Sequence, residues 1–425
     1  MSEDEIGKEV IETGSSDADL TEPKPDGHPR WQMTLYTMWL AQLLAIVGFS
    51  FVMPFMPFYV RELGVKDPRW VPIWAGLVVS AGAMTMSVAA PLWGWVADRY
   101  GRKPMVQRAM FGGALVLSLM ALAKSVHQLF VLRLMQGAVT GTVPASAALV
   151  SSVVPKEKMG YSLGLMQMAV FAGLSVGPYL GGVTAEHFGY RVPFWVAGGS
   201  LLCGGLLVLF GARERFVRPA PEKAETTGSL REVLLSPGVL ALLISYLLLH
   251  LSGAFVGPIF PLFVEQIVSE PGRAASQTGL ILTVTGITAA FASVMIGRES
   301  DRWGHKQVLI GCALLAGLTA FPQAAANSVG QLLVLRAVFG LGLGGMIPAM
   351  NALVTTIVPR ERLGRAYGLT TTATALGMAT GPIVGGWAAS VLGVRLPFVI
   401  MGAMFLTLTA VLAIQRAKDK TSKAI

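Results

Sequence analysis

Two basic groups of this chain stand where charge is costly, and one carboxylate stands where cations crowd it. Arg133 lies five residues into an apolar stretch, ~8 Å of helix from its start. A guanidinium at that depth costs at least ~2 kcal/mol unless it is paired, hydrated or turned toward a protein interior. His250, the one histidine inside an apolar stretch, is ~18 Å along its own. An imidazole there can relay a proton near neutral pH, or simply be hydrogen-bonded between helices. Asp98 sits among Arg99, Arg102, Lys103 and Arg108, so its carboxylate can pair with a cation or with the positive N-terminus of a neighbouring helix. Such a pair can form in one conformation and break in another. Asp98, Arg133 and His250 are therefore the proton-handling candidates, and snorkelling to the interface is the competing reading for Arg133.

The elements that position these residues come in two copies. Gly94 to Lys103, with Asp98, Arg99, Gly101 and Arg102, returns as Gly297 to Lys306 with Asp301, Arg302 and Gly304. Leu132, Arg133 and Gly137 return as Leu335, Arg336 and Gly340, with Phe339 standing in for Gln136. Gly173, Gly177, Pro178, Gly181 and Gly182 return as Gly377, Gly381, Pro382, Gly385 and Gly386; Pro54 and Pro57 return as Pro258 and Pro261. Collinear matches at a nearly fixed offset mean a duplicated half, and duplicated membrane halves around a central site are carrier architecture.

With 53% hydrophobic and 13% charged residues over 425 positions, the chain belongs in lipid rather than water. Runs of ~20 apolar residues suffice to span a bilayer, and twelve are expected, numbered here as spans 1 to 12: 33–59, 74–96, 105–123, 128–151, 161–184, 192–211, 238–264, 277–296, 307–325, 331–354, 366–390 and 394–414. The fold expected is thus all-α, two pseudo-symmetric six-helix bundles: an acidic tail (1–30), a first bundle (31–211), a linker (212–236), a second bundle (237–415) and a basic tail (416–425). Of the 33 lysines and arginines, 24 fall on the side of the tails and the linker and 7 on the other. The positive-inside rule then puts both termini in the cytoplasm of a multi-pass protein of the cytoplasmic membrane. The net charge of +9 reports orientation beside anionic lipid, not a nucleic-acid partner. Cys203 and Cys312 read as buried small hydrophobes, with no disulfide framework. No metal cluster, nucleophile with base, or phosphate loop is present, so neither an enzyme nor a bound cofactor is expected.

Gly94, Asp98, Arg99, Gly101 and Arg102 with Gly297, Asp301 and Gly304 read as a conformational latch, although charged loop residues also serve merely to anchor helix ends. Gly173, Gly177 and Gly181 (again Gly377, Gly381 and Gly385) recur every four residues, giving one smooth face for backbone-to-backbone packing. Pro178 and Pro382 each remove a backbone hydrogen bond and let the helix bend. Gln42, Phe51, Arg133, Gln136, Gln167, Tyr246, His250 and Asn351 are the substrate-cavity candidates; Trp39, Phe55, Trp93 and Met168 could add apolar lining.

The Gly94–Lys103 segment resembles the signature loop of the major facilitator superfamily, Leu132–Gly137 its second signature, and Gly173–Gly182 the signature linked to its exporters. Phe51–Val60 is similar to the first-span motif of the twelve-span drug:proton antiporter family, in its MdtG-like and tetracycline-efflux-like branches. The resemblance covers residues 31 to 415. It implies alternating access by rocking of the two bundles, with Asp98 in the latch. Tetracycline-efflux-like members place an acidic residue nine positions before the first proline of that motif; here the position holds Ala45, and no Asp or Glu stands in the middle of any span.

The function expected is export of small amphiphilic molecules by alternating access in exchange for protons, the proton gradient being the driving force. Partners would be a small-molecule substrate, protons and membrane lipids, with the chain a monomer. A cavity without a carboxylate disfavours lipophilic cations against neutral, zwitterionic or anionic amphiphiles. Import or facilitated diffusion on the same fold is the nearest alternative; a non-transporting receptor or scaffold is the alternative of another class.

Overall fold

The computed structural model describes residues 31–214, 238–270, 272–358 and 363–424. The acidic tail, most of the linker and the Asp301 side chain lie outside the described residues, and the basic tail continues the last helix to Ala424. Spans 1 and 7 are broken helices: Trp31–Phe51 continues through a 3-10 turn (Met53–Phe55) into Met56–Glu62, and Val239–Phe255 bends by 40° into Phe260–Ile267. Both breaks fall at the paired prolines, which withdraw hydrogen-bond donors from the helix ladder. Span 2 is Trp70–Tyr100, span 3 Arg102–Ala121, span 5 Met159–Phe188 and span 6 Val192–Gly211. In the second half, span 8 is Ala274–Trp303, span 9 His305–Ala324, span 10 Val329–Ile357, span 11 Leu363–Leu392 and span 12 Leu396–Ala424.

Ten described helices are long and apolar enough to cross a membrane, and the bent span 7 makes an eleventh. The twelfth place is taken by two short helices, Val126–Val139 and Thr142–Val153, where a single span 4 was expected. Span 3 begins at Arg102, three residues before the expected 105, so Arg102 and Lys103 belong to its first turn and not to the preceding loop. Cys312 is buried as expected, but Cys203 is exposed; an apolar thiol on a lipid-facing helix surface loses nothing by facing hydrocarbon instead of protein.

Each half has its own core, one gathering Met38, Phe55, Tyr59, Met110 and Phe194, the other Phe260, Phe263, Phe339, Phe398 and Phe405. The repeat extends to local geometry. Ser125 caps span 4 by accepting from the Gln128 amide at 3.3 Å while Gln128 Oε1 accepts from Lys124 N; Ser328 and Gln331 repeat this at span 10, with Asn327 N as the second donor. Two orphan amides per helix are satisfied this way. Gly101 and Gly304, at φ 99° and 88°, join spans 2 to 3 and 8 to 9, a conformation costly for any residue with a Cβ. The face carrying these two turns also carries the start of span 1 and is called the tail face; the other is the far face.

Candidate functional site

The glycine faces pack within each half. A methyl group at Gly173 would strike Ile46, at Gly177 the Ser50 hydroxyl, and at Gly181 the Phe51 carbonyl; in the second half Gly377 meets Leu247, Leu251 and His250, Gly381 meets Leu251 and Ala254, and Gly385 meets Phe255. Spans 5 and 11 thus lie backbone to backbone on spans 1 and 7, and Ser50 Oγ adds a cross-span hydrogen bond to the Gly173 carbonyl at 2.9 Å. Both spans run as helix through Pro178 and Pro382.

The remaining atoms of this motif join the halves. A Cβ on Gly279 of span 8 would meet the Pro178 carbonyl, and one on Gly182 the Ala275 carbonyl. Symmetrically, Gly76 of span 2 faces the Pro382 carbonyl and Gly386 the Pro72 carbonyl. These four contacts form two seams, span 5 on span 8 and span 2 on span 11, all toward the far face. Gly76 and Gly279 were not singled out from the sequence; being isolated glycines outside any motif, they carried no signal beyond their matched positions in the repeat. Polar contacts close the same end: Arg61 Nη1 donates to Glu265 Oε1 at 2.8 Å, and Ser276 N donates to Glu186 Oε1 at 2.8 Å.

At the tail face the picture reverses. Val88, Leu92 and Trp95 of span 2, and Phe291, Val294 and Met295 of span 8, are all exposed. Gly94 has nothing within reach of a Cβ, and Gly297 only Pro348. Asp98 is exposed and forms no ion pair among the described residues. The nearby N-terminus of span 3 is taken by Glu214, whose carboxylate accepts from Arg102 N and Lys103 N at 2.7 to 3.0 Å. Arg99 leans on the Trp95 and Tyr100 rings, and Arg302 pairs with Glu299 at 3.4 Å.

Of the cavity candidates, the structure joins two groups. Tyr246 donates its hydroxyl hydrogen to Asn351 Oδ1 at 2.8 Å and stacks on His250, centroids 6.2 Å apart and planes 5° from parallel. His250 Nδ1 lies 2.9 Å from the Tyr246 carbonyl and 3.4 Å from Thr374 Oγ1. A carbonyl cannot donate, so Nδ1 carries the hydrogen and Nε2 is left as the basic nitrogen. In the first half, Arg133 Nη1 donates to Gln136 Oε1 at 2.8 Å; the half-buried guanidinium is turned inward and does not snorkel.

Other candidates sit elsewhere. Gln42 is 1% exposed, with neither amide atom paired, and lies inside the first bundle. Phe51 is 6% exposed, its backbone against Gly181 of span 5, and Phe55 packs on Tyr190 and Phe194 in the core of the first half. Gln167 and Met168 are exposed on span 5. Arg336 does not snorkel either: it is 7% exposed, its guanidinium 4.2 Å from the Phe260 centroid and 5.1 and 5.8 Å from those of Phe339 and Phe398. Three phenyl faces serve here in place of a carboxylate.

One site went unforeseen. Span 4 breaks at Thr140 and Gly141, the latter at φ 118°. Trp93 Nε1 donates to the freed Ala138 carbonyl at 2.6 Å, Arg108 Nη2 donates to the Thr140 carbonyl at 3.3 Å, and the guanidinium stacks on Trp93 at 3.6 Å. Non-helical backbone within a span needs such protein partners, and broken spans of this kind often border transport sites. Gly141 and Pro144 mark the break, but Gly345 and Pro348 repeat that spacing inside the continuous span 10, so the sequence alone did not reveal it.

The fold and its seams define a two-bundle membrane transporter. The model of the Major Facilitator Superfamily matches residues 38–267 and 242–424, and the chain belongs to that family; it is a transporter and not an enzyme. It is similar to the multidrug resistance protein MdtG of Citrobacter koseri (33% identical over 381 residues, 88% of this chain and 93% of the relative) and of Klebsiella pneumoniae (30% over 396 residues, 92% and 96%). Among solved structures, a bacterial homolog of the human lysosomal transporter Spinster, in an inward-facing and unoccupied conformation, aligns with TM-score 0.75 at 15% identity (91% of this chain, 97% of that one). The nucleoside transporter NupG aligns with TM-score 0.75 at 14% identity (90% and 99%).

Proposed function

We propose that this chain exports small amphiphilic molecules across the cytoplasmic membrane by alternating access, in exchange for protons. The observation that carries this reading is the opposition of the two faces: seams of glycine against carbonyl close the far face, while at the tail face Asp98 has no ion-pair partner among the described residues. Taking the tail face as cytoplasmic, as the charge asymmetry indicates, the state is open to the cytoplasm and ready to load. The export direction also accords with relatives named for multidrug resistance.

In this reading the latch forms in the opposite state, when the tail-face ends of the spans close and Asp98 finds a cation or helix N-terminus. Arg133 with Gln136, and Tyr246 with His250 and Asn351, receive the substrate's polar groups from the two halves. Cationic and neutral hydrogen-bonding groups without a carboxylate favour neutral, zwitterionic or anionic amphiphiles. His250 Nε2, Arg133 and Asp98 are the groups placed to handle the proton, and the chain works as a monomer in lipid.

Purified protein in liposomes with an imposed pH gradient tests this. Substrate accumulation that follows the gradient, and declines in Asp98→Asn, is expected; accumulation indifferent to the gradient would remove the antiport mechanism.

A further inference from the structure

The two polar contacts described between the halves both use a glutamate and both lie at the far face. Glu265 holds Arg61 at 2.8 Å, the two side chains about 40% exposed. Glu186, at the end of span 5, accepts from Ser276 N at the start of span 8, where the helix presents unpaired amides and the positive end of its dipole. A cavity of about 270 Å³ opens beside them, lined by Phe58, Tyr190 and Glu265 from the two halves. Burial, together with the charges of Glu265, Glu186 and Glu62, raises the Tyr190 phenol above its ordinary range, opposed by Arg61; three carboxylates therefore share one small region. The other charged neighbours are already engaged: Glu62 with Arg191 at 3.2 Å and Glu270 with Arg273 at 2.7 Å. His187, beside Glu186, turns its Nδ1 to the Val183 carbonyl of its own helix.

We infer that Glu186 and Glu265 form a proton-releasable clasp, so that acid in the far compartment opens the transporter on that side. This rests on the alternating-access reading and adds a regulator to it. The sign follows from the contacts. Ionised, Glu265 attracts Arg61 and Glu186 stabilises the positive end of span 8; protonated, Glu265 has no charge to offer and Glu186 only a neutral carbonyl. Closure is therefore favoured at higher pH and lost as pH falls. Because both carboxylates meet the far compartment even in the closed state, the protons come from that side and return to it. The clasp biases the cycle and carries no proton across. An exposed ion pair and one helix-end contact are each modest, so their joint loss should shift the closed-to-open ratio about tenfold, not abolish closure, which the glycine seams also support.

The test is a distance measurement on the full-length chain in nanodiscs, with spin labels at Lys66→Cys and Ser269→Cys on a Cys203→Ser background. From pH about 7.5 to about 3, down through the carboxylate range, the longer, far-open distance should gain about tenfold over the shorter one. Glu186→Gln/Glu265→Gln should favour the longer distance at both pH values, and the exchange Arg61→Glu/Glu265→Arg should restore the shorter one at neutral pH. A parent distribution that ignores pH, or a double variant that responds to it as strongly as the parent, would overturn the clasp; a smaller residual response belongs to the other proton-handling groups. The readout involves no transport, so this failure is separate from failure of the pH-gradient assay.

Discussion

Gly279 and Pro178 meet across the two halves with no side chain between them: a Cβ on the glycine would run into the proline carbonyl. Gly279→Val should therefore force the far face apart. Overpacking costs about 1 to 3 kcal/mol, which is roughly a 5- to 150-fold change against the closed state. Cysteine crosslinking across the far face in the Cys203→Ser background reads this population, and crosslinking equal to the parent's would remove the seam from the mechanism.

Arg133 is expected to be needed for transport rather than for folding. In Arg133→Ala the Gln136 acceptor loses its donor, and transport in liposomes should fall at least about tenfold while thermal unfolding stays near the parent's, since a buried cation contributes little net stability. A normal rate would make this arginine a helix anchor.

At the break in span 4 the expected result is the reverse. Gly141→Ala places a Cβ at φ 118°, at a cost of about 1 to 2 kcal/mol, and Arg108→Ala removes the donor to the Thr140 carbonyl and the stack on Trp93, about 1 to 3 kcal/mol. Thermal unfolding in detergent should register both. An Arg108→Ala protein as stable as the parent would mean that water or lipid already serves these carbonyls.

His250→Ala should separate coupling from binding. Transport driven by a pH gradient should drop about tenfold, while substrate exchange without a gradient persists, because Tyr246 and Asn351 keep their mutual hydrogen bond. Equal loss of both activities would place the imidazole in substrate contact instead.

The two-bundle design was legible because duplication writes its structural requirements twice: the proline breaks and the glycine faces recur at one offset, and the Gly94–Lys103 loop at one residue less. What breaks the repeat was hidden. Where the first half has Trp93 and Arg108, the second has Ile296 and Gly311, and span 10 stays continuous. Arg108, already inside the expected span 3, read only as one more cation around Asp98, since only a partner on another helix reveals what it holds. Phe55 misled in another way: aromatic residues suit a cavity wall and a helix interface equally, and only its packing on Tyr190 and Phe194 separates the two.

Arg61 and Glu265 occupy matched positions in the repeat, 204 residues apart. A dimer of two first halves would set arginine against arginine there, and a dimer of two second halves glutamate against glutamate; both would repel. Once these positions had diverged, each half could satisfy this contact only with the other. That mutual dependence gives selection a reason to keep both on one polypeptide, in fixed proportion and in this pairing.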